Sequence, residues 1–207
     1  MDMENSVCFI GHRKINGTPE LRGHLRDILS ELIETGTVNF IFGDNSAFND
    51  LCYEAVTALK QTHPEIRRIK FRRDYADADE YTMRFLLSGY EESICPEGVS
   101  KAGKAGYAER NQAMIRESDT CVFYYDEGYR PARRKNSKSD LTDYQPKSGT
   151  AIAYAYAVQK KKKVYNCAGS EERRAESKLS RSAKEEKVHA DFTNFTKNIY
   201  CKSQKCD

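Results

Sequence analysis

Thr120-Cys121-Val122-Phe123-Tyr124-Tyr125 and, beyond a long connection, Lys147-Ser148-Gly149-Thr150-Ala151-Ile152-Ala153-Tyr154-Ala155-Tyr156-Ala157 decide the fold of this chain. The first run is apolar and aromatic with a β-branched centre, which suits a buried strand. The second is rich in alanine behind a small polar turn, which suits a helix. A Gly-Thr turn that opens a helix after a strand leaves backbone N–H groups pointing outward, where the helix dipole favours an anion. A phosphate is therefore the first ligand to consider at Ser148, Gly149 and Thr150. Residues 151–157 contain no carboxylate, so a sugar-cleaving acid is missing from the place where it would be convenient.

Outward from this pair the same alternation recurs. Val7-Cys8-Phe9-Ile10 reads as a strand stopped by Gly11. Thr18-Pro19 supplies an N-cap and a first-turn proline, and Leu21, Leu25, Ile28, Leu29, Leu32 and Ile33 follow at helical spacing up to Gly36. Val38-Asn39-Phe40-Ile41-Phe42 is a second strand, broken by Gly43-Asp44-Asn45-Ser46. Phe48, Leu51, Cys52, Ala55, Val56 and Leu59 form another helical face, and residues 66–71 a third strand. Residues 77–92 predict a helix with Tyr81, Phe85 and Leu86 inward. Ile94-Cys95 is a brief fourth strand, residues 107–118 a helix with Ala113 and Met114 inward, and Val164-Tyr165-Asn166-Cys167 the last strand. Such alternation predicts right-handed βαβ units and a parallel sheet with helices on both faces. Ligands of such sheets sit beyond the carboxyl ends of the strands, where strand order switches.

Residues 1–168 carry this pattern as one ligand-binding domain. Inside it, residues 126–147 form a long basic loop bearing Arg130, Arg133, Arg134, Lys135, Lys138 and Tyr144, and loops of that length are commonly functional. Residues 169–207 read as a charged C-terminal helical extension, with Phe192, Phe195, Ile199 and Tyr200 available to dock a final helix. The formal charge of +3 arises from 34 basic and 31 acidic side chains that nearly cancel, which argues against a general nucleic-acid field. The run Lys160-Lys161-Lys162-Lys163 is explained more simply by a helix end and solvation than by nucleic acid. No apolar run approaches the roughly 18 residues of a membrane helix. The acidic start, running directly into a strand, is unlike a signal peptide. Seven cysteines without a framework fit a reduced, cytoplasmic protein. Cys201 and Cys206 have no matching His or Cys pair nearby, so no metal or other cofactor is expected. No Gly-x-Ser-x-Gly elbow and no histidine triad is present, so no catalytic residue is assigned.

The remaining candidates each follow the end of a strand. Gly11-His12-Arg13 admits a phosphate or base contact, or is an ordinary turn with an exposed basic pair. Gly43, Asp44, Asn45 and Ser46 are candidates for the floor of a site, and Asn45, Ser46 and Asn49 suit ribose or base hydroxyls, although helix capping accounts for most of that composition. Arg110 and Asn111 together clamp a phosphate and hydrogen-bond a sugar or base, or are surface polar residues. Of Tyr124 and Tyr125 one must point inward, since strands alternate, and Tyr125 at the terminus is the stacking candidate.

Taken in order, Phe9-Ile10-Gly11-His12-Arg13, Gly43 followed by Phe48-Asn49-Asp50-Leu51, Arg110-Asn111-Gln112-Ala113-Met114-Ile115, Ser118-Asp119 and Ser148-Gly149-Thr150-Ala151 resemble the SLOG superfamily and its YpsA-like branch. The loop segments 131–136 and 141–146 resemble one subgroup of it. The match spans roughly residues 6–168. It implies a Rossmann-like three-layer sandwich that binds nucleotides or nucleotide-derived, ADP-ribose-like molecules. Many such proteins are thought to be sensors, and relatives often self-associate as homo-oligomers. Related LOG-type nucleotide phosphoribohydrolases carry an arginine where Arg110 falls and a Gly-Thr where Gly149-Thr150 falls. Their glutamate position is Ala153 here, and Gln145-Pro146-Lys147-Ser148 replaces their Pro-Gly-Gly. Asn49 stands where YpsA-like proteins commonly have aspartate.

The resemblance therefore implies a ligand sensor rather than an enzyme. A nucleotide N-glycosidase or deoxyribosyltransferase-like enzyme would need Asp44, Asp50, Glu109 or Asp119 to replace the missing acid. A third reading is a protein-interaction regulator, in cell division or phage defence as some members are thought to be.

Overall fold

The computed structural model describes residues 3–43, 46–73, 79–99, 103–129 and 148–168. The chain divides into two units, Met1–Ala168 and Gly169–Asp207, and all described residues belong to the first. The long loop from residue 130 onward and the expected C-terminal helical extension lie outside the described residues, as do Asp44 and Asn45.

Eleven elements follow in the order β1 (Ser6–Gly11), α1 (Pro19–Glu34), β2 (Asn39–Phe42), α2 (Ala47–Leu59), β3 (Arg67–Phe71), α3 (Glu80–Leu87), β4 (Glu92–Ile94), α4 (Gly103–Glu117), β5 (Thr120–Tyr124), α5 (Gly149–Gln159) and β6 (Lys163–Asn166). The six strands form one parallel sheet in the order β4-β3-β2-β1-β5-β6. Strand periodicity sorts the core into two halves. Val7, Phe9, Phe40, Phe42 and Val122 pack with α1 and α2 on one face. Cys8, Ile10, Ile41, Ile69, Phe71, Cys121 and Phe123 pack with α4 and α5 on the other. The result is the expected α/β Rossmann-like sandwich with helices on both faces.

Local chemistry sets the element ends. The Thr18 hydroxyl accepts from the Leu21 N–H at 3.3 Å, and Pro19 occupies the first turn of α1. Leu21, Leu25, Ile28, Leu29 and Leu32 then bury one stripe, each contributing about 1.5–3 kcal/mol of apolar burial. Gly36, at a φ of +96°, ends the turn in a conformation costly for other residues. One lysine of the run is structural: Lys162 Nζ donates to the carbonyls of Arg116 (3.0 Å) and Ser118 (2.6 Å), closing the carboxyl end of α4.

One expectation is overturned. Tyr81, Phe85 and Leu86 do not point inward; they are 80%, 72% and 45% exposed, and α3 buries no residue at all. The helix connects β3 to the edge strand β4, the last position of the sheet. Periodicity shows only that apolar residues share a stripe. It does not show that a sheet lies beneath the stripe.

Candidate functional site

Strand order reverses at β1, which has β2 on one side and β5 on the other. The chain leaves β1 and β5 at the carboxyl edge, where sheets of this type bind ligands. Gly11 closes β1 opposite Tyr124. A side chain at Gly11 would come within 2.5 Å of Phe48 Cβ, so the glycine makes room for the start of α2. Arg13 is exposed, and its carbonyl accepts from the Ala47 N–H at 3.1 Å. The loop after β1 is thus joined to the first turn of α2.

His12 is 2% exposed. Asp126 donates its backbone N–H to His12 Nε2 at 3.0 Å, the shorter of two contacts to that nitrogen, which places the proton of the neutral ring on Nδ1. Nδ1 is buried without a hydrogen-bond partner among the described residues. Burial lowers the His12 pKa, against a smaller upward pull from the carbonyl and charge of Asp126. Tyr129 stacks on the imidazole with centroids 3.9 Å apart. Tyr125 is clasped by Asn166, whose Oδ1 accepts from its N–H (3.0 Å) and whose Nδ2 donates to its carbonyl (2.9 Å). Its ring stacks on Tyr154 of α5 at 4.6 Å.

Ser148 caps α5, accepting from the Ala151 N–H at 3.1 Å. Thr150 is buried, while a Cβ added at the exposed Gly149 would meet nothing within 4 Å among the described residues. Among those residues the amino end of α5 is therefore open at Gly149. Ser46 likewise caps α2, accepting from the Asn49 N–H at 3.1 Å.

A second grouping stands at the ends of β2 and β3. Arg110 is 5% exposed, and its guanidinium lies so close to Gly43 that a Cβ there would fall 2.9 Å from Nη2. That same nitrogen donates to Asn111 Oδ1 at 2.8 Å. Lys70 Nζ donates to the Gly43 carbonyl. Arg73 covers the Tyr107 ring at 3.9 Å and donates to its hydroxyl at 3.0 Å, with Arg110 5.8 Å from the same ring. Three cations from β3, the residues after it and α4 thus converge on Gly43 and Tyr107. Sequence reasoning missed Lys70 and Arg73. The available signal was a lysine between Ile69 and Phe71 in a buried strand, since lysine is rarely buried without a partner.

The structure also locates Asp119, one of the acids an enzyme would need. Asp119 precedes β5, and its carboxylate accepts from the Ser6 N–H at 3.0 Å, so it serves the amino edge of the sheet. Ala153, 2% exposed, is packed into the core. Among the described residues no group of three or more His, Cys, Asp or Glu is placed to hold a metal ion. No helix among them is long and apolar enough to cross a membrane.

No protein-family model matches this chain, and no curated protein does either.

Proposed function

We propose that this protein binds a nucleotide or nucleotide-derived, ADP-ribose-like molecule at the carboxyl edge of its sheet, as a SLOG-type cytoplasmic sensor. The carrying observation is Arg110, a guanidinium buried against the Gly43 backbone with Lys70 and Arg73 beside it. Such a concentration of cations suits phosphate, which arginine engages bidentately. The open amino end of α5 at Gly149 and Thr150, with Ser148 assisting, offers amide donors and the positive end of the helix dipole. His12 brings a second donor through Nδ1, and Asn111 and Tyr125 line the sugar or base. Calorimetry with AMP and ADP-ribose tests this. Binding by wild type that falls at least tenfold in Arg110→Met supports it; equal binding by both, or none by wild type, ends it.

A protein-interaction role is the second reading, favoured by the outward Tyr81 and Phe85 of α3. It predicts self-association that Phe85→Asp abolishes in sedimentation velocity. A wild type that sediments as a monomer at all concentrations would retire self-association.

A further inference from the structure

Side-chain alternation extends the pattern of the sheet past the ends of its strands. Ile41, Ile10, Cys121 and Phe123 pack on the face that α4 and α5 cover. Two residues beyond Ile41, Gly43 meets Arg110 of α4; two beyond Phe123, Tyr125 meets Tyr154 of α5. His12 follows β1, the strand between β2 and β5, and its ring centroid is 6.3 Å from that of Tyr125. The carboxyl edge therefore has a polarity on this one face, with a guanidinium at the end of β2 and rings at the end of β5. Tyr125 and Tyr154 are both half-buried, so each ring keeps surface at the solvent. Phe123 meets the Tyr154 ring edge-on from the core side at 5.2 Å.

Asn166 fixes where the Tyr125 ring stands. Tyr125 lies past the last register pair of β5 with β6, which is Phe123 with Asn166. The Asn166 amide takes the place of a strand there, holding both the N–H and the carbonyl of Tyr125. Its Oδ1 also accepts from the Ala168 N–H at 3.2 Å, so the amide joins two backbone segments. With both backbone groups held, the direction of the side chain is set, and Tyr154 backs the ring. A nucleoside monophosphate has the polarity of this edge: an anion at one end and a flat base at the other, and bases stack on tyrosine. We infer that the Tyr125 ring stacks on the base of the bound nucleotide, with Asn166 as the residue that positions it. The inference rests on the nucleotide reading above.

Calorimetry of the full chain with AMP and ribose 5-phosphate, which keeps the sugar and phosphate but has no base, tests it. Wild type binds AMP at least about tenfold more tightly, the worth of one stacked base. Tyr125→Leu weakens AMP to the level of ribose 5-phosphate, and Tyr125→Phe, which keeps the ring, retains the preference. Asn166→Ala loses the preference without weakening ribose 5-phosphate, a selective loss that general destabilisation does not produce. Tyr125→Leu keeps both backbone bonds to Asn166 and so decides the matter even where Asn166→Ala does not fold. A preference that survives Tyr125→Leu or a folded Asn166→Ala overturns the inference, as does a wild type that binds the two ligands equally. A wild type that binds neither removes the nucleotide reading and the inference together.

Discussion

Asp126 donates its backbone N–H to His12 Nε2 at 3.0 Å, tying the end of β5 to the loop after β1 across 114 residues of sequence. The bond exists only while Nε2 keeps its lone pair. Burial holds the folded His12 pKa below its ordinary value of 6.5, so the ring is neutral in the native state. A group with a depressed basic pKa binds more protons unfolded than folded, so stability rises with pH. The stabilisation is fully present above pH 6.5 and is lost as pH falls through the folded value. Melting temperatures of wild type should therefore drop as pH is lowered from 7, and His12→Gln should flatten this part of the profile. Parallel profiles for the two proteins would contradict it.

A second acid-sensitive contact lies at the other side of the sheet. Glu91 accepts from the Arg68 backbone N–H at 2.6 Å and from its guanidinium Nη2 at 2.7 Å, with Lys60 3.5 Å away. Burial pushes the carboxyl up, but the Arg68 bonds outweigh it and hold the pKa at about 2 against an ordinary 4.5. Here the stabilisation is present above 4.5 and is lost as pH falls through about 2. Discounted for solvent screening, Glu91→Gln should cost about 1 kcal/mol at pH 7 in urea unfolding, and close to nothing at pH 2.

Gly11→Ala forces a methyl against Phe48, which the backbone of α2 carries. Overpacking of this kind costs about 1–3 kcal/mol. The double variant with Phe48→Gly, which removes the Phe48 Cβ as well as the ring, should show a smaller additional cost from the alanine at 11 than the wild-type background does. Additive losses in chemical denaturation would mean that the two residues do not meet.

At the start of α5 two neighbouring positions should behave differently. Ser148→Ala removes the cap on the Ala151 N–H and should cost about 1 kcal/mol. Gly149→Ala adds a Cβ that meets open space, so stability should hold or rise by up to about 1 kcal/mol. Thermal melts of both proteins decide it; a destabilised Gly149→Ala would show that the helix end is closed.

The candidate site was partly legible in the chain. Ser46 and Thr18 were readable as caps because capping is settled within four residues, whereas Ser148 read as a phosphate contact and caps α5 as well. Gly11 was visible as a special position, but its neighbour Phe48 was not, since nothing in the 36 intervening residues records their approach. Lys70 escaped because a charge on a strand has the same local appearance at a solvated edge as in a buried position, and Arg73, beyond the end of β3, because nothing local shows that it covers the Tyr107 ring. The outward stripe of α3 failed for the converse reason, an amphipathic pattern without an opposing layer.

What the sequence determined by itself is the alternation of strands and helices and the face each buries, because the periods of two and 3.6 are properties of the local backbone. Only the tertiary structure decided that β1 is the switch strand, that Arg110 meets Gly43, and that Asp126 meets His12. Those contacts depend on sheet order, and sheet order arises from how whole layers pack, a quantity no local window of residues contains.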